Sequence, residues 1–339
     1  MRENLSANVK VPEKLRVSLG SAITLGLVNG RLDAAPTTAY LMTYREGKCV
    51  ANCGFCPQAR QSRSRADMLS RISWPVFTTS QVISKMEGVA EEGTIRRVCL
   101  QALNYPEVFT DLKALVEVIS KRVRVPVSVS CQPVNLEDIK CLAEAGAERI
   151  GIPIDAVTEE IFDRVKGAFA GGPYIMSKQL ALLEEAVEVF GKGRVSTHLI
   201  VGLGETEREM VRMVQKCVDM GVLPALFAFT PVAGTALEGW RQPPIQQYRR
   251  VQLARYLIFN GFSRLENMSF DVDGRIASFG IDKFTLKRVV QSGEPFRTSG
   301  CPDCNRPYYN EKPSGPIYNY PKLLNVEELQ KIMEELELV

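Results

Sequence analysis

From about residue 80 onward one hydrophobic pattern repeats along the chain. Apolar positions recur at helical spacing, a Gly follows, and a short β-branched run comes next. SQVISKMEGVAEEG leads to TIRRVCLQA, LKALVEVISKRVRV to PVSVSCQ, and EDIKCLAEAG to AERIGIPIDA. KQLALLEEAVEVFGKG then leads to RVSTHLIVG, and EREMVRMVQKCVDMG to VLPALFAFTP. Helices alternating with buried strands are the signature of parallel βα units, and the Gly closes each helix in the left-handed conformation. TTAYLMTY (37–44) supplies a strand ahead of the repeats, FSRLENMSFD (262–271) a seventh, and ASFGI an eighth.

The expected fold is therefore α/β, a single TIM-type β/α barrel, partial or full, of six to eight parallel strands over residues 37–285. An N-terminal helical extension (1–36) packs on its base. Residues 286–339, rich in Pro, Tyr and Asn, form an extended tail with a CxxC that ends in a short amphipathic helix. In such barrels the C-terminal ends of the strands line the active site.

Composition narrows the function classes. The 339 residues are 45% hydrophobic and 24% charged, with a net charge of +3, too weak to argue for nucleic acid. No apolar run approaches membrane-spanning length and the N-terminus has no secretory pattern, so the expectation is a cytoplasmic protein with no membrane partner. Arg60, Arg63, Arg65 and Arg71 form a local basic run. It reads either as a solvated loop or as a rim for an anionic substrate or an acidic carrier protein.

Nine cysteines without an export signal point to metal rather than disulfides. With His198 as the single histidine, soft thiolates without imidazole favour iron–sulfur chemistry. KCVANCGFCPQAR packs Cys49, Cys53 and Cys56 into the loop after the first strand, and Gly54 lets the backbone wrap tightly there. Structural zinc and cubane clusters usually take four protein ligands, so a set of three leaves one metal corner open. A zinc knuckle completed by Cys99 is the alternative.

The CxxxCxxC spacing with aromatic Phe55 before the third cysteine resembles the radical S-adenosylmethionine superfamily. That resemblance implies a 4Fe–4S cluster on Cys49, Cys53 and Cys56 whose open iron chelates S-adenosyl-L-methionine. Reductive cleavage then gives a 5′-deoxyadenosyl radical, which takes hydrogen from unactivated C–H bonds.

Over residues 40–275 the resemblance narrows to biotin synthases. CGFCPQAR looks like their cluster loop, and RRVCLQALNYP places Cys99 where they ligate an auxiliary, sulfur-supplying cluster. VSVSCQPVNLEDIKCLAEAG places Cys131 on a second such position, and GFSRLENM makes Arg264 an arginine ligand. STHLIVGLGETE has Ser196 where a third cysteine is expected, and its Ile200 to Glu205 stretch would lie against the nucleoside. Phe55, Ala102, Asp155, Ile200 and Thr230 are the implied cofactor-positioning residues. Pro153 and Phe227 stand where substrate-facing Asn residues are usual, which implies a pocket for an aliphatic chain.

The tail's GCPDCNRPYYNE adds Cys301 and Cys304. Alone, that CxxC reads as a redox pair, half a zinc site or half a cluster site. With Cys99 and Cys131 it makes four ligands for a second iron–sulfur cluster, if the tail folds over the barrel mouth. Barrel, pocket and tail together look like one component of the two-component lipoyl synthases, which share two sulfur insertions into a protein-bound octanoyl chain. The resemblance implies three partners: an octanoylated carrier domain (a lipoyl domain or glycine-cleavage H protein), a second lipoyl synthase component and a low-potential electron donor. Biotin synthase, a hydrogenase-maturation or methylornithine-forming enzyme, and a non-catalytic electron carrier are the rivals. Cys141 and Cys217 read as core, as does His198. Glu205 reads as a residue that touches cofactor, Glu207 as the favourable acid that opens the next helix.

Overall fold

The computed structural model describes residues 10–337, so the first nine residues of the expected N-terminal extension lie outside it. The chain opens with β1 (Lys14–Val17), α1 (Leu19–Thr24), β2 (Thr38–Thr43), β3 (Met68–Leu69), β4 (Ile72–Ser73) and β5 (Val76–Thr78). The repeats follow as α2 (Thr79–Glu91), β6 (Arg97–Gln101), α3 (Val108–Arg122), β7 (Val127–Ser130), α4 (Leu136–Glu144) and β8 (Arg149–Gly151). They continue through α5 (Glu159–Val165), α6 (Met176–Phe190), β9 (Val195–Val201), α7 (Glu207–Asp219), β10 (Val222–Ala228) and α8 (Ile245–Phe259). After them come β11 (Ser269–Phe270), β12 (Ile276–Ser278), α9 (Lys283–Gln291) and α10 (Val326–Glu335).

Six strands, β2 and β6 to β10, run parallel in sequence order, the lower end of the expected range. Three of the six helices between them start at a polar side-chain cap. Asn135 and Thr158 accept backbone N–H groups at the starts of α4 and α5, and Thr206 with Glu209 makes a capping box on α7. Their apolar faces and the outward strand residues form one continuous core that includes Leu100, Leu115, Ile150 and Val214.

Three expectations need correction. The N-terminal extension is not simply helical: β1 joins the main sheet antiparallel between β2 and β5, and α1 is only six residues long. The seventh and eighth strands are not in the barrel. Residues 262–271 hold a one-turn 3-10 helix and β11, which pairs with β12 in a separate hairpin. The sheet accordingly stays open, with no ladder among the described residues joining β10 to the far edge.

Pro224 explains the stop. It sits mid-β10, and a strand proline is tolerated only where its missing N–H faces no neighbour. Leu226, two residues on, turns its N–H to the same side, where the side chain of Ser299 accepts it at 2.8 Å. The carbonyls of Pro224 and Leu226 accept from the guanidiniums of Arg255 (3.0 Å) and Arg306 (3.3 Å). Side chains, not a strand, therefore satisfy the outer edge of β10.

The tail fills that seam, and it enters from the N-terminal end of the strands rather than over the mouth. Thr37 and Thr38 at the start of β2 donate to the Asp303 carbonyl (2.6 and 3.0 Å), and Arg97 at the start of β6 donates to that of Pro302 (2.9 Å). From there the chain climbs between β10 and the β3–β4 hairpin. The Arg306 N–H donates to the Tyr40 hydroxyl (2.8 Å), and Tyr309 packs on Tyr40 and on buried Trp74. At the top, Thr230 donates to the Asn310 carbonyl (2.9 Å), while Ser70 and Arg71 donate to those of Tyr309 and Glu311 (2.9 and 2.7 Å). Arg249 of α8 fastens the rest, donating to the carbonyls of Ile317 and Tyr318 and pairing with Glu335 of α10 at 2.7 Å. Among the described residues no helix is long and apolar enough to cross a membrane.

Glu311 gives the seam a pH dependence. Its buried carboxylate accepts the N–H groups of Asn310 and Asn319, both at 3.0 Å, yet burial still raises its pKa to about 7. A carboxyl held above its unfolded value binds its proton more tightly when folded. Stability is then greatest below the unfolded pKa and falls as pH rises through the folded one. Between about pH 5 and about pH 8 we expect urea unfolding to register a loss of about 3 kcal/mol from this group. Glu311→Gln should flatten that slope; an unchanged slope would assign the dependence elsewhere.

Candidate active site

The cysteine loop follows β2, at the C-terminal end of the barrel. It is held from several sides. The Cys49 N–H donates to the Gln58 carbonyl (3.0 Å) and the Val50 N–H to that of Asn104 (2.9 Å). Gly54 donates to the Val165 carbonyl (2.7 Å) and accepts from Leu237 (3.0 Å). A Cβ at Gly54 would stand 3.3 Å from the Leu237 side chain, so its role is close approach. Asn52 and Lys48 tie the flanks through the carbonyls of Ala170, Pro57 and Ser64. Arg60, Arg63 and Arg65 of the basic run are exposed, though Arg60 also donates to the Gly171 carbonyl, and half-buried Arg71 donates to the tail.

The seven candidate cluster cysteines (Cys49, Cys53, Cys56, Cys99, Cys131, Cys301 and Cys304) and the five candidate cofactor-positioning residues all line one cavity of about 280 Å³. Cys49, Cys53 and Cys56 converge on it and interact electrostatically with one another. Burial pushes the Cys56 thiol up to about 12, and the neighbouring Cys49 adds repulsion. Burial raises Cys53 as well, opposed by the nearby Lys166 ammonium. The Asn104 N–H donates to the Cys49 sulfur at 3.2 Å. Phe55 belongs to the same loop, Ala102 follows β6, and Ile200 faces the cavity from β9.

Asp155 leaves β8 in the left-handed region (φ 65°), where Asp is better tolerated than most residues. Its N–H donates to the His198 carbonyl and its carbonyl accepts from Ile200, both at 2.8 Å, so β9 fixes the turn. The carboxylate meets Lys166 at 2.7 Å. Lys166 was not singled out from the sequence. It is 1% exposed, also donates to the Pro153 carbonyl, and lies over the Phe162 and Tyr174 rings. Its place after α5, in RVKG, gave no sign of an inward turn.

A second thiol set lies deeper in the same cavity. Cys99 of β6 feels chiefly burial, then the charges of Cys301 and Cys304, and its pKa is raised. Ser128 donates to the Cys301 sulfur at 3.6 Å, and the Tyr40 hydroxyl lies 3.4 Å from the Cys304 sulfur. A Cβ at Gly300 would stand 3.3 Å from that sulfur, so glycine makes room for it. The Arg306 guanidinium stacks 3.7 Å from the Phe227 ring centroid and opposes the raised pKa of both Cys99 and Cys304.

Cys131 stands apart from this set. Cys99 pairs in register with Ser128, whereas Cys131 lies three residues further along, about 10 Å at strand rise. Its sulfur responds to burial and Asp138, not to another cysteine. Arg264 is also remote: it is on the surface, paired with Asp219 and Glu266. His198 lines the cavity against Phe227, at 4.6 Å between centroids, and burial lowers its pKa to about 4, so the imidazole is neutral. Glu205 is spent on the turn after β9, accepting the N–H groups of Gly202 and Leu203. Glu207 opens α7 and pairs with Arg250 at 2.5 Å. Cys217 is core, but Cys141 is half-buried on α4.

The donor set fits an iron–sulfur cluster. Among the described residues, no group of three or more His, Cys, Asp or Glu is arranged to hold a single metal ion. A cubane takes each thiolate on a different iron, so it suits sulfurs that share a wall without crowding one sphere. Buried thiols that raise one another's pKa stay protonated until a cation joins them, which couples ionisation to metal binding.

Residues 47–217 match the family model described as the Radical SAM superfamily. The FeFe-hydrogenase maturase HydG from Carboxydothermus hydrogenoformans superposes with a TM-score of 0.51 at 15% identity, over 66% of this chain and 52% of that one. Methylornithine synthase (PylB) superposes with a TM-score of 0.51 at 13% identity, over 71% of this chain and 66% of its own. The chain therefore spans from about half to just under two thirds of these structures, and at such identities the likeness concerns the fold. No curated protein matches it.

The Asp155–Lys166 pair supplies a test. Lys166→Met strands a buried carboxylate and should lower unfolding free energy by about 3 kcal/mol or more. The Asp155→Asn, Lys166→Met double variant should recover much of that in chemical denaturation. If the double variant is no more stable than the single, the pair is not the source of the loss.

Proposed function

The chain belongs to the radical SAM superfamily, and on that premise we propose that it inserts sulfur into an unactivated C–H bond of a protein-bound octanoyl chain, as one component of a two-component lipoyl synthase. Cys49, Cys53 and Cys56 would hold a 4Fe–4S cluster that, with S-adenosyl-L-methionine bound, would supply a 5′-deoxyadenosyl radical. The observation that supports the finer reading is the second thiol set, Cys99, Cys301 and Cys304, in the same cavity as the first. An enzyme that forms C–S bonds needs a sulfur source facing the substrate, and a cluster held by this set would supply one.

The residues divide the work. Asp155, locked by Lys166 and β9, presents a fixed carboxylate to a ribose. Met42, Leu103, Phe227 and Phe229 give the cavity apolar walls suited to an alkyl chain and poor for a polar heterocycle. Arg306 holds positive charge beside the second thiol set, favouring the ionised forms of Cys99 and Cys304. The partners of this reading are the octanoylated carrier domain, the second synthase component and a low-potential electron donor.

Iron and acid-labile sulfide in reconstituted Cys49→Ala, Cys53→Ala, Cys56→Ala protein test the second set. About four irons should remain; essentially none would withdraw the sulfur-insertion reading. Octanoyl-lysyl peptide and dethiobiotin, each with S-adenosylmethionine and dithionite, then test the substrate. Sulfur should appear on the octanoyl peptide, and turnover of dethiobiotin alone would favour a biotin-synthase activity instead.

A further inference from the structure

Gly300, Cys301 and Cys304 line two cavities, not one. The second, about 420 Å³, lies at the N-terminal end of the strands, among Thr37, Arg96, Leu223, Arg255 and Arg297. The CxxC segment is thus a partition. One side faces the radical cavity and the other a separate opening at the base of the barrel.

The lower cavity carries excess positive charge. Arg96 pairs with Asp303 at 3.5 Å and Arg297 with Glu294 at 2.9 Å. Arg255 has no carboxylate partner among the described residues: its Nε donates to the Pro224 carbonyl and its guanidinium lies 4.5 Å from the Phe259 ring centroid. Burial lowers its pKa to about 10, which leaves it charged at neutral pH. Three guanidiniums therefore face two carboxylates, and an anion is the complement.

We propose that this cavity is an entrance through which a small soft anion, hydrosulfide, reaches Cys301 and Cys304 from the base of the barrel. The proposal rests on reading Cys99, Cys301 and Cys304 as ligands of a sulfur-donating cluster. Replacing the lost sulfide changes no oxidation state at sulfur: the S–H bond of hydrosulfide would break, the proton would pass to water and the sulfide would stay with iron. An S–H bond is a good hydrogen donor to a carbon radical, so hydrosulfide arriving at the mouth would quench the reaction. A base entrance keeps it behind the partition. The volume holds the anion with several waters, each of which needs about 30 Å³.

Two thiol reagents of similar size separate charge from access. Iodoacetate and iodoacetamide are applied to the iron-free full chain, and labelling is read by peptide mass, with rates normalised to the denatured chain. At Cys301 and Cys304 the anionic reagent should be preferred roughly tenfold, and Arg255→Met should abolish the preference. Asn260, exposed at the end of α8, lines the same cavity. Asn260→Trp should slow both reagents at Cys301 and Cys304 and leave Cys49 and Cys53 untouched. The same variant, loaded with iron, should take up isotopically labelled sulfide more slowly than the unaltered chain.

No anion preference, unchanged rates in Asn260→Trp, or equal slowing at Cys53 would each overturn the entrance. Sulfide uptake that ignores Asn260→Trp would do the same. The labelling needs no iron and no substrate. A chain that passes it and fails on octanoyl peptide keeps the entrance and loses the substrate reading.

Discussion

The outer edge of β10 is the constraint on which the rest of the structure depends. Pro224 removes one N–H from that edge, so no further strand can pair there without leaving a gap in the ladder. The six parallel strands are then an open sheet with a raw side facing its own interior. Buried backbone groups have to be satisfied somewhere, and Ser299, Arg306 and Arg255 satisfy them with side chains. The consequence reaches beyond closure. Whatever fills the seam is carried into the barrel, and here it carries Cys301 and Cys304.

Burial sets the chemistry of both thiol sets in the same way. Desolvation is the leading cause of every raised cysteine pKa in the cavity, and neighbouring thiols add like-charge repulsion. Each set has a cation at hand, Lys166 for the mouth set and Arg306 for the deep one. Neither cation is free: Lys166 is bound to Asp155 and Arg306 is stacked on Phe227. They moderate the cost of ionisation without removing it, so Cys53, Cys56, Cys99 and Cys304 remain protonated until iron arrives. Ligation and deprotonation are then one event, and cluster loading depends on pH.

The parallel strands were legible because periodicity and Gly punctuation speak for each βα unit separately. The cysteine loop was legible because spacing, aromatic and position after a strand coincide. Failures came where local pattern does not carry the answer. FSRLENMSFD has strand-like residues, but a strand needs an edge, and Pro224, visible in VLPALFAFTP, had already removed it. Arg264 fell with that segment, and the buried cations beside the deep thiols are Arg306 from the tail and Arg97 of β6. Cys131 lines the same cavity, but β7 pairs Cys99 with Ser128 and leaves Cys131 three residues further along the strand, an offset that sequence spacing alone does not show. The direction from which the tail enters had no sequence signal, because Pro, Tyr and Asn describe an extended chain without saying where it lies.

The position of the CxxC is therefore a property of its anchors rather than of the barrel. Below it, Thr37, Thr38 and Arg97 hold the carbonyls of Pro302 and Asp303; above it, Thr230, Ser70 and Arg71 hold those of Asn310, Tyr309 and Glu311. Several of these hydrogen bonds are half-buried, where the net worth of each is about 1 kcal/mol. Their number matters more than any one of them, and Tyr309 adds apolar burial on Tyr40 and Trp74. A segment held at both ends through its own carbonyls leaves the side chains of Ser299, Arg306 and the two cysteines to other partners. That division lets one short stretch close the seam with Ser299 and Arg306, turn two thiols inward, and still show its lower surface to the cavity beneath.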